Sequence, residues 1–135
     1  MNKITAFLFV IFFTAMSALY AQQPVTKMHS LYLYNFIKNI KWSNVDNKYM
    51  VGVFADDKTV KEINNVIGIR NFNNKPIEVK KISSPTEAGN CHIVFVSSSF
   101  KSTLKQLNTP AVLKNTLVVS EEGGMNNGAS IAFIL

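Results

Sequence analysis

The chain has 135 residues, 47% hydrophobic and 11% aromatic, with 14 Lys and Arg against 8 Asp and Glu. That is room for one domain with an ordinary core. The basic residues, among them Lys38, Lys41, Lys48, Lys58, Lys61, Lys80, Lys81, Lys101, Lys105 and Lys114, with Arg70 the sole arginine, are scattered, which argues against a nucleic-acid groove and leaves a weak pull toward anionic headgroups or an acidic partner.

Lys3 precedes the uncharged run "ITAFLFVIFFTAM", residues 4–16, and the small-residue segment "SALYAQQ". A basic start, a short apolar stretch and a peptidase site make a secretory signal over residues 1–21, with cleavage after Ala21. The rival is an uncleaved anchor, because Ile4 to Gln23 approaches the ~20 residues that span a bilayer. No cysteine follows the apolar run, so this is not a lipoprotein signal. Without Lys3, 13 of the 14 basic residues remain, and residues 22–135 form one α/β domain of net charge +5. Cys91 is the single cysteine. An exported chain with one thiol makes no internal disulfide, and Cys91 opens the apolar run "CHIVFV", which suits a buried, inert thiol.

Residues 26–41 have helical spacing, with Thr26 as a plausible N-cap. Tyr32, Leu33, Phe36, Ile37 and Ile40 fall in one arc of ~140°, the core face. Lys27, Lys38 and Lys41 fall opposite, together with Leu31, Tyr34 and Asn35, and Trp42 closes the helix. "KYMVGVFAD", residues 48–56, is a strand. Asp56 or Asp57 caps a helix with the stripe Val60, Ile63 and Ile67, which Gly68 ends. Residues 69–76 form a turn-rich loop. "IEVKKI", residues 77–82, alternates like a strand near an edge. Residues 83–90 are a connector with space for one helical turn. "CHIVFV", residues 91–96, is a strand covered on both faces. Ser98 or Ser99 caps a helix with the stripe Phe100, Leu104 and Leu107, and Pro110 starts a short turn. "TLVVS", residues 116–120, is a buried strand, "EEGGMNNGA" a glycine-rich turn, and "SIAFIL" a last strand. The alternation predicts an α/β fold: a mostly parallel five-stranded sheet with helices on both faces. The last strand is expected to be antiparallel, its connector being short for a crossover.

No catalytic set emerges. The glycines of "EEGGMNNG" precede a strand, whereas a phosphate cradle needs a helix N-terminus. His29, on the core edge of the first helix, and His92 have no Cys, Asp or Glu at ligand spacing, so no metal is expected. Cys91 and His92 are adjacent, and adjacent strand residues point to opposite faces. "SSSF", residues 97–100, lacks a GxSxG context. No cofactor is implied.

"LYLYNFIKNIKW" after a signal, "MVGVFADD", "KPIEVKKI", "CHIVFVSSS" and "TLVVSEEGGMNNGASIAFIL", in that order, resemble the YfiR-like family. The resemblance spans about Lys27 to Leu135. It implies a periplasmic regulator with an α/β sandwich fold, often a homodimer. The best-known member of that family represses a membrane-bound diguanylate cyclase by binding its periplasmic sensor region, lowering cyclic-di-GMP output. Two departures stand out. The cysteine pairs that make that repressor redox-sensitive are missing here. Family members usually continue past the glycine strand, whereas this chain stops at Leu135 in apolar sequence, as if shortened or meeting a partner strand.

Three functions follow as expectations. The first is a non-enzymatic exported regulator that binds the periplasmic part of a membrane signalling protein, a diguanylate cyclase or sensor kinase. It would touch the membrane only through that partner, with Leu31, Tyr34, Lys38 and Trp42 as the binding face, since aromatic residues are enriched at binding hot spots. The second is a periplasmic small-molecule sensor with its site at the strand C-terminal ends, near Asp56, Asp57, Ser97, Ser98 and Ser120. The third is an enzyme with Cys91 as nucleophile.

Overall fold

A computed structural model of the protein describes residues 25–133. The secretory signal, its cleavage near Ala21 and the last two residues lie outside the described residues. Within them the chain forms α1 (Val25–Asn39), β1 (Tyr49–Phe54), α2 (Asp57–Ile67), β2 (Asn71–Phe72), β3 (Lys75–Lys81), α3 (Pro85–Ala88) and β4 (Ile93–Val96). A 3-10 turn (Ser98–Thr103) leads into α4 (Leu104–Leu107). Then come α5 (Pro110–Leu113), β5 (Leu117–Ser120), a second 3-10 turn (Met125–Asn127) and β6 (Ile131–Ala132). The strands form one sheet in the order β2-β3-β1-β4-β5-β6. The α/β class and the parallel centre of the sheet agree with the sequence reading.

Alternating residues of the central strands face two separate cores. Val51 and Val53 of β1, Ile93 and Phe95 of β4 and Val119 of β5 pack with Leu33 and Ile37 of α1 and Ile63 and Ile67 of α2. Phe54, Val94, Val96 and Val118 point the other way, against Ala88, Leu104, Leu107 and Val112 of the short helices. The fold is therefore a three-layer sandwich with unequal outer layers. Burial of Leu33 and Ile37, both 0% exposed, is what holds α1 to the sheet, at about 1.5–3 kcal/mol for each side chain.

The sheet differs from the sequence reading in two places. It has six strands, because residues 69–76 form a hairpin and not a loop. Asn73 and Asn74 both take positive φ, 51° and 60°, the conformation a two-residue primed turn requires and that Asn tolerates. This lets Asn71–Phe72 pair antiparallel with Lys75–Pro76. The last strand is also not antiparallel: β6 pairs parallel with β5, Val119 opposite Ile131 and Ser120 opposite Ala132. The connector is short for a helical crossover. The chain instead reverses through the Met125–Asn127 turn, with Gly124 at φ 95° and Gly128 at φ 107° on either side of it. A Cβ at Gly128 would lie 2.8 Å from Asn108 Cβ and 2.9 Å from the Leu104 carbonyl oxygen, so glycine is needed there twice over.

The expected ends of α2 agree with the structure, and the expected caps at Thr26 and at Ser98 or Ser99 do not. Asp56 caps α2, its carboxylate accepting from the Thr59 N–H at 2.7 Å. Gly68 ends that helix. Ser84 and Glu87 form a reciprocal capping box on α3, with Pro85 in the first turn. Thr109 caps α5. Thr26, by contrast, lies within α1, its carbonyl accepting from the Ser30 hydroxyl at 2.7 Å. Neither Ser98 nor Ser99 caps the segment that follows β4. Ser97 holds that position, without a side-chain cap bond, and the chain enters a 3-10 turn before α4.

Candidate interaction surface and the ends of the sheet

The faces of α1 are set by Leu33 and Ile37. They turn His29 and Ser30 inward as well. The opposite side leaves Val25, Met28, Leu31 and Tyr32 exposed, at 39–45%. These four lie on one arc of the helix, at i, i+3, i+6 and i+7. Lys27 and Lys38 border it, both exposed, and α1 carries no acidic residue. Leu31 is thus exposed, as expected. Tyr32 is the exception to the predicted core arc: it sits at the arc's edge, 45% exposed, with its ring 5.5 Å from that of Phe133.

Tyr34, read as part of an outer patch, is half-buried against the core that α1 shares with the sheet. Two cations cover its ring, Lys38 Nζ at 4.8 Å and Arg70 at 5.0 Å. Arg70 was not singled out from the sequence, since nothing local links it to α1. It is held by its own bond to the Val66 carbonyl at 2.8 Å. Trp42 is also half-buried. Its indole N–H donates to the Ile37 carbonyl at 3.0 Å, satisfying an end-of-helix oxygen. Its ring meets His92 edge-on at 5.7 Å. The structure therefore does not bring Leu31, Tyr34, Lys38 and Trp42 together as one free patch. Leu31 faces solvent, Lys38 folds over Tyr34, and Trp42 plugs the C-terminal end of α1.

The strand C-terminal ends lie side by side, as β1, β4 and β5 are neighbours, and the predicted residues are engaged there through side chains at Asp56, Asp57 and Ser120 and through the backbone at Ser97 and Ser98. Asp56 is the α2 cap, and its carboxyl is held below the usual range first by the Thr59 backbone N–H. Asp57 pairs with Lys81 at 2.6 Å. The Ser97 N–H donates to the Phe54 carbonyl at 3.0 Å. The Ser98 N–H donates to Glu121 at 2.7 Å. The buried Ser120 hydroxyl donates to the Glu122 carbonyl at 3.0 Å.

Cys91 is buried, and burial pushes its thiol up to about 11. Its sulfur lies 3.4 Å from the Glu87 carbonyl. A thiol so hard to ionise is a poor nucleophile. His92 turns away from it and bridges two segments: Nδ1 accepts from the Met50 N–H at 3.0 Å and Nε2 lies 2.8 Å from the Asn44 carbonyl. Beside it a cleft of about 300 Å³ is lined by Trp42, Asn44, Asp46, Asn90, His92 and Asn115, among others. Among the described residues no three His, Cys, Asp or Glu side chains gather as metal ligands, and no helix is long and apolar enough to cross a membrane.

The other histidine sits differently. His29 is 0% exposed. Its ring stacks on Phe133 at 4.3 Å, almost parallel, and lies 5.9 Å from Phe95. Nδ1 is 3.7 Å from a Glu121 carboxylate oxygen, beyond hydrogen-bond reach. Neither ring nitrogen has a hydrogen-bond partner among the described residues.

A three-layer sandwich on a mostly parallel sheet, with a basic, partly apolar first helix, defines a small α/β module without an evident catalytic constellation. The model of the YfiR/HmsC-like family, DUF4154, matches residues 26–135. The chain belongs to that family. No curated protein matches the chain.

Proposed function

We propose that the protein is an exported, non-enzymatic regulator that binds the periplasmic part of a membrane signalling protein, a diguanylate cyclase by the family resemblance, and represses it. Export is supported by the leader-like first 21 residues. The observation that carries the reading is the exposed stripe Val25, Met28, Leu31 and Tyr32 on α1, bordered by Lys27 and Lys38. Large apolar side chains in a row, flanked by cations and with no acid on the helix, fit an apolar partner surface rimmed by carboxylates. Repression then works by occupancy: the partner's inactive conformation binds this face better than its active one, and binding shifts the population accordingly. A second copy of the chain is the competing occupant of the same stripe.

The test is capture of the partner from solubilised membranes by the tagged mature chain. Leu31→Asp and Tyr32→Asp should abolish capture while leaving circular dichroism and the unfolding midpoint unchanged. Retained capture by both variants would remove α1 from the interface. Sedimentation of the free chain separates out the second-copy alternative, which would appear as a dimer broken by the same changes.

The small-molecule reading is supported by the cleft beside Trp42 and His92; at the strand C-terminal ends Asp56, Asp57 and Ser120 are engaged through their side chains, and Ser97 and Ser98 through their backbone N–H groups.

A further inference from the structure

A buried histidine normally has its ring nitrogens paired, and here even the partly exposed His92 does. His29 is fully buried and has neither nitrogen paired among the described residues. The elements around it offer little to a charged imidazole. β4 presents Phe95, and the segment after β6 presents Phe133. The end of β5 presents Glu121, the one charged group facing the ring among the described residues. One Glu121 oxygen points at His29, and the other accepts from the Ser98 N–H. The carboxylate therefore lies where three segments meet: it belongs to the end of β5, bonds the turn after β4 and stands 3.7 Å from the ring on α1.

We propose that His29 and Glu121 form a proton-operated latch that holds the N-terminal half of α1 to the end of the sheet and releases it on acidification. This rests on the partner reading of α1 in one respect only, that the released half carries the stripe. In the closed state the imidazole is neutral, stacked on Phe133 with Phe95 tilted beside it. A protonated ring either swings outward to water or moves to close the 3.7 Å gap to the Glu121 oxygen that does not hold Ser98. Both movements pull His29 off Phe133, whose ring also meets Tyr32. Met28, Leu31 and Tyr32 flank His29 on the same turns, so the stripe shifts with it. In an exported protein that ring senses the pH outside the cytoplasm.

The sign follows from the geometry. Burial lowers the pKa of His29 more than Glu121 raises it. The unfolded chain thus binds this proton more readily, near the ordinary value of about 6.5. The contribution of neutral His29 to folding is complete above that value. It is lost as pH falls below it, by up to about tenfold in the folding equilibrium per pH unit, until the folded state also takes up the proton.

Urea unfolding of the mature chain between pH about 7.5 and about 5 tests this. The wild type should lose stability across the window, and His29→Phe should lose less. Glu121→Gln should lose more, since the sole attraction for the charged ring is gone. His92→Gln, as a control, should keep the difference between wild type and His29→Phe. Should His29→Phe fail to fold, NMR titration of the two imidazoles decides: His29 should titrate below the ordinary value. Equal slopes in wild type and His29→Phe, or a His29 that titrates normally, would overturn the latch. Membrane capture at the two pH extremes tests the coupling separately. Wild type should lose capture in acid and His29→Phe should keep it. Capture by wild type that ignores pH while the latch titrates would overturn the coupling alone. No capture at any pH would overturn the partner reading and leave the latch to the unfolding data.

Discussion

Gly52 shows how tightly single positions are constrained. A Cβ there would stand 2.6 Å from Ile82 Cδ1 and 2.8 Å from Cys91 Sγ. The residue is in β1, its missing side chain facing the core under the short helices, and Ile82 and Cys91 fill the space. Gly52→Ala should therefore destabilise the fold by about 1–3 kcal/mol through overpacking. Adding Cys91→Ala should recover part of that loss, because the sulfur is one of the two obstacles. Urea midpoints of the single and double variants measure the coupling. Cys91 as a buried, inert thiol was legible in the sequence, since it begins an apolar run. The burial of Tyr34 and exposure of Tyr32 were not. Both lie near the margins of the helical arc, where a few degrees decide, and the deciding contacts come from Arg70 and Phe133, far away along the chain.

Among the elements, α3 is the clearest case of a short helix made by its caps. Four residues form too short a segment to be helical alone, yet Ser84, Pro85 and Glu87 set its first turn. The Glu87 carboxylate accepts from the backbone N–H groups of Ser83 and Ser84 at 2.9 and 3.1 Å. The Ser83 N–H is the largest cause holding its pKa down, at about 2. A depressed acid adds stability above its unfolded value and loses it as pH falls through the folded one. The wild type should thus weaken between pH about 4.5 and about 2, and Glu87→Gln should flatten that part of an acid-unfolding profile. Ser84→Ala should cost about 1 kcal/mol at neutral pH. The sequence left space for a single turn in residues 83–90, and the cap at Ser84 and Glu87 that makes it is seen only in the fold. The hairpin at Asn73 and Asn74 was missed because β2 has only two residues, too few to show a period. The strand–helix alternation from β1 to β5 was readable because each buried stripe spans several residues.

At the scale of the molecule, the two layers over the sheet are unlike. On one side lie α1 and α2, of 15 and 11 residues. On the other, α3, α4 and α5 have four residues each. The sequence indicated helices on both faces but not this imbalance, nor the direction of β6. That direction depends on two glycines at positive φ and on space beside Leu104 and Asn108, facts of the folded state. Of the expected binding face, the exposure of Leu31 was legible. The approach of His29 to Glu121 was not, as nothing between them in sequence hints that the first helix meets the end of the fifth strand.

The unlike layers imply an order of opening. Each one-turn helix over the second core can detach with the loss of a few contacts, whereas at neutral pH α1 and α2 are held along several turns. Deuterium should therefore enter the amides of residues 98–116 well before those of α2 at neutral pH, and a nonspecific protease should cut first near Asn108. The protein breathes from one flank, and the flank that stays shut is the one bearing the stripe.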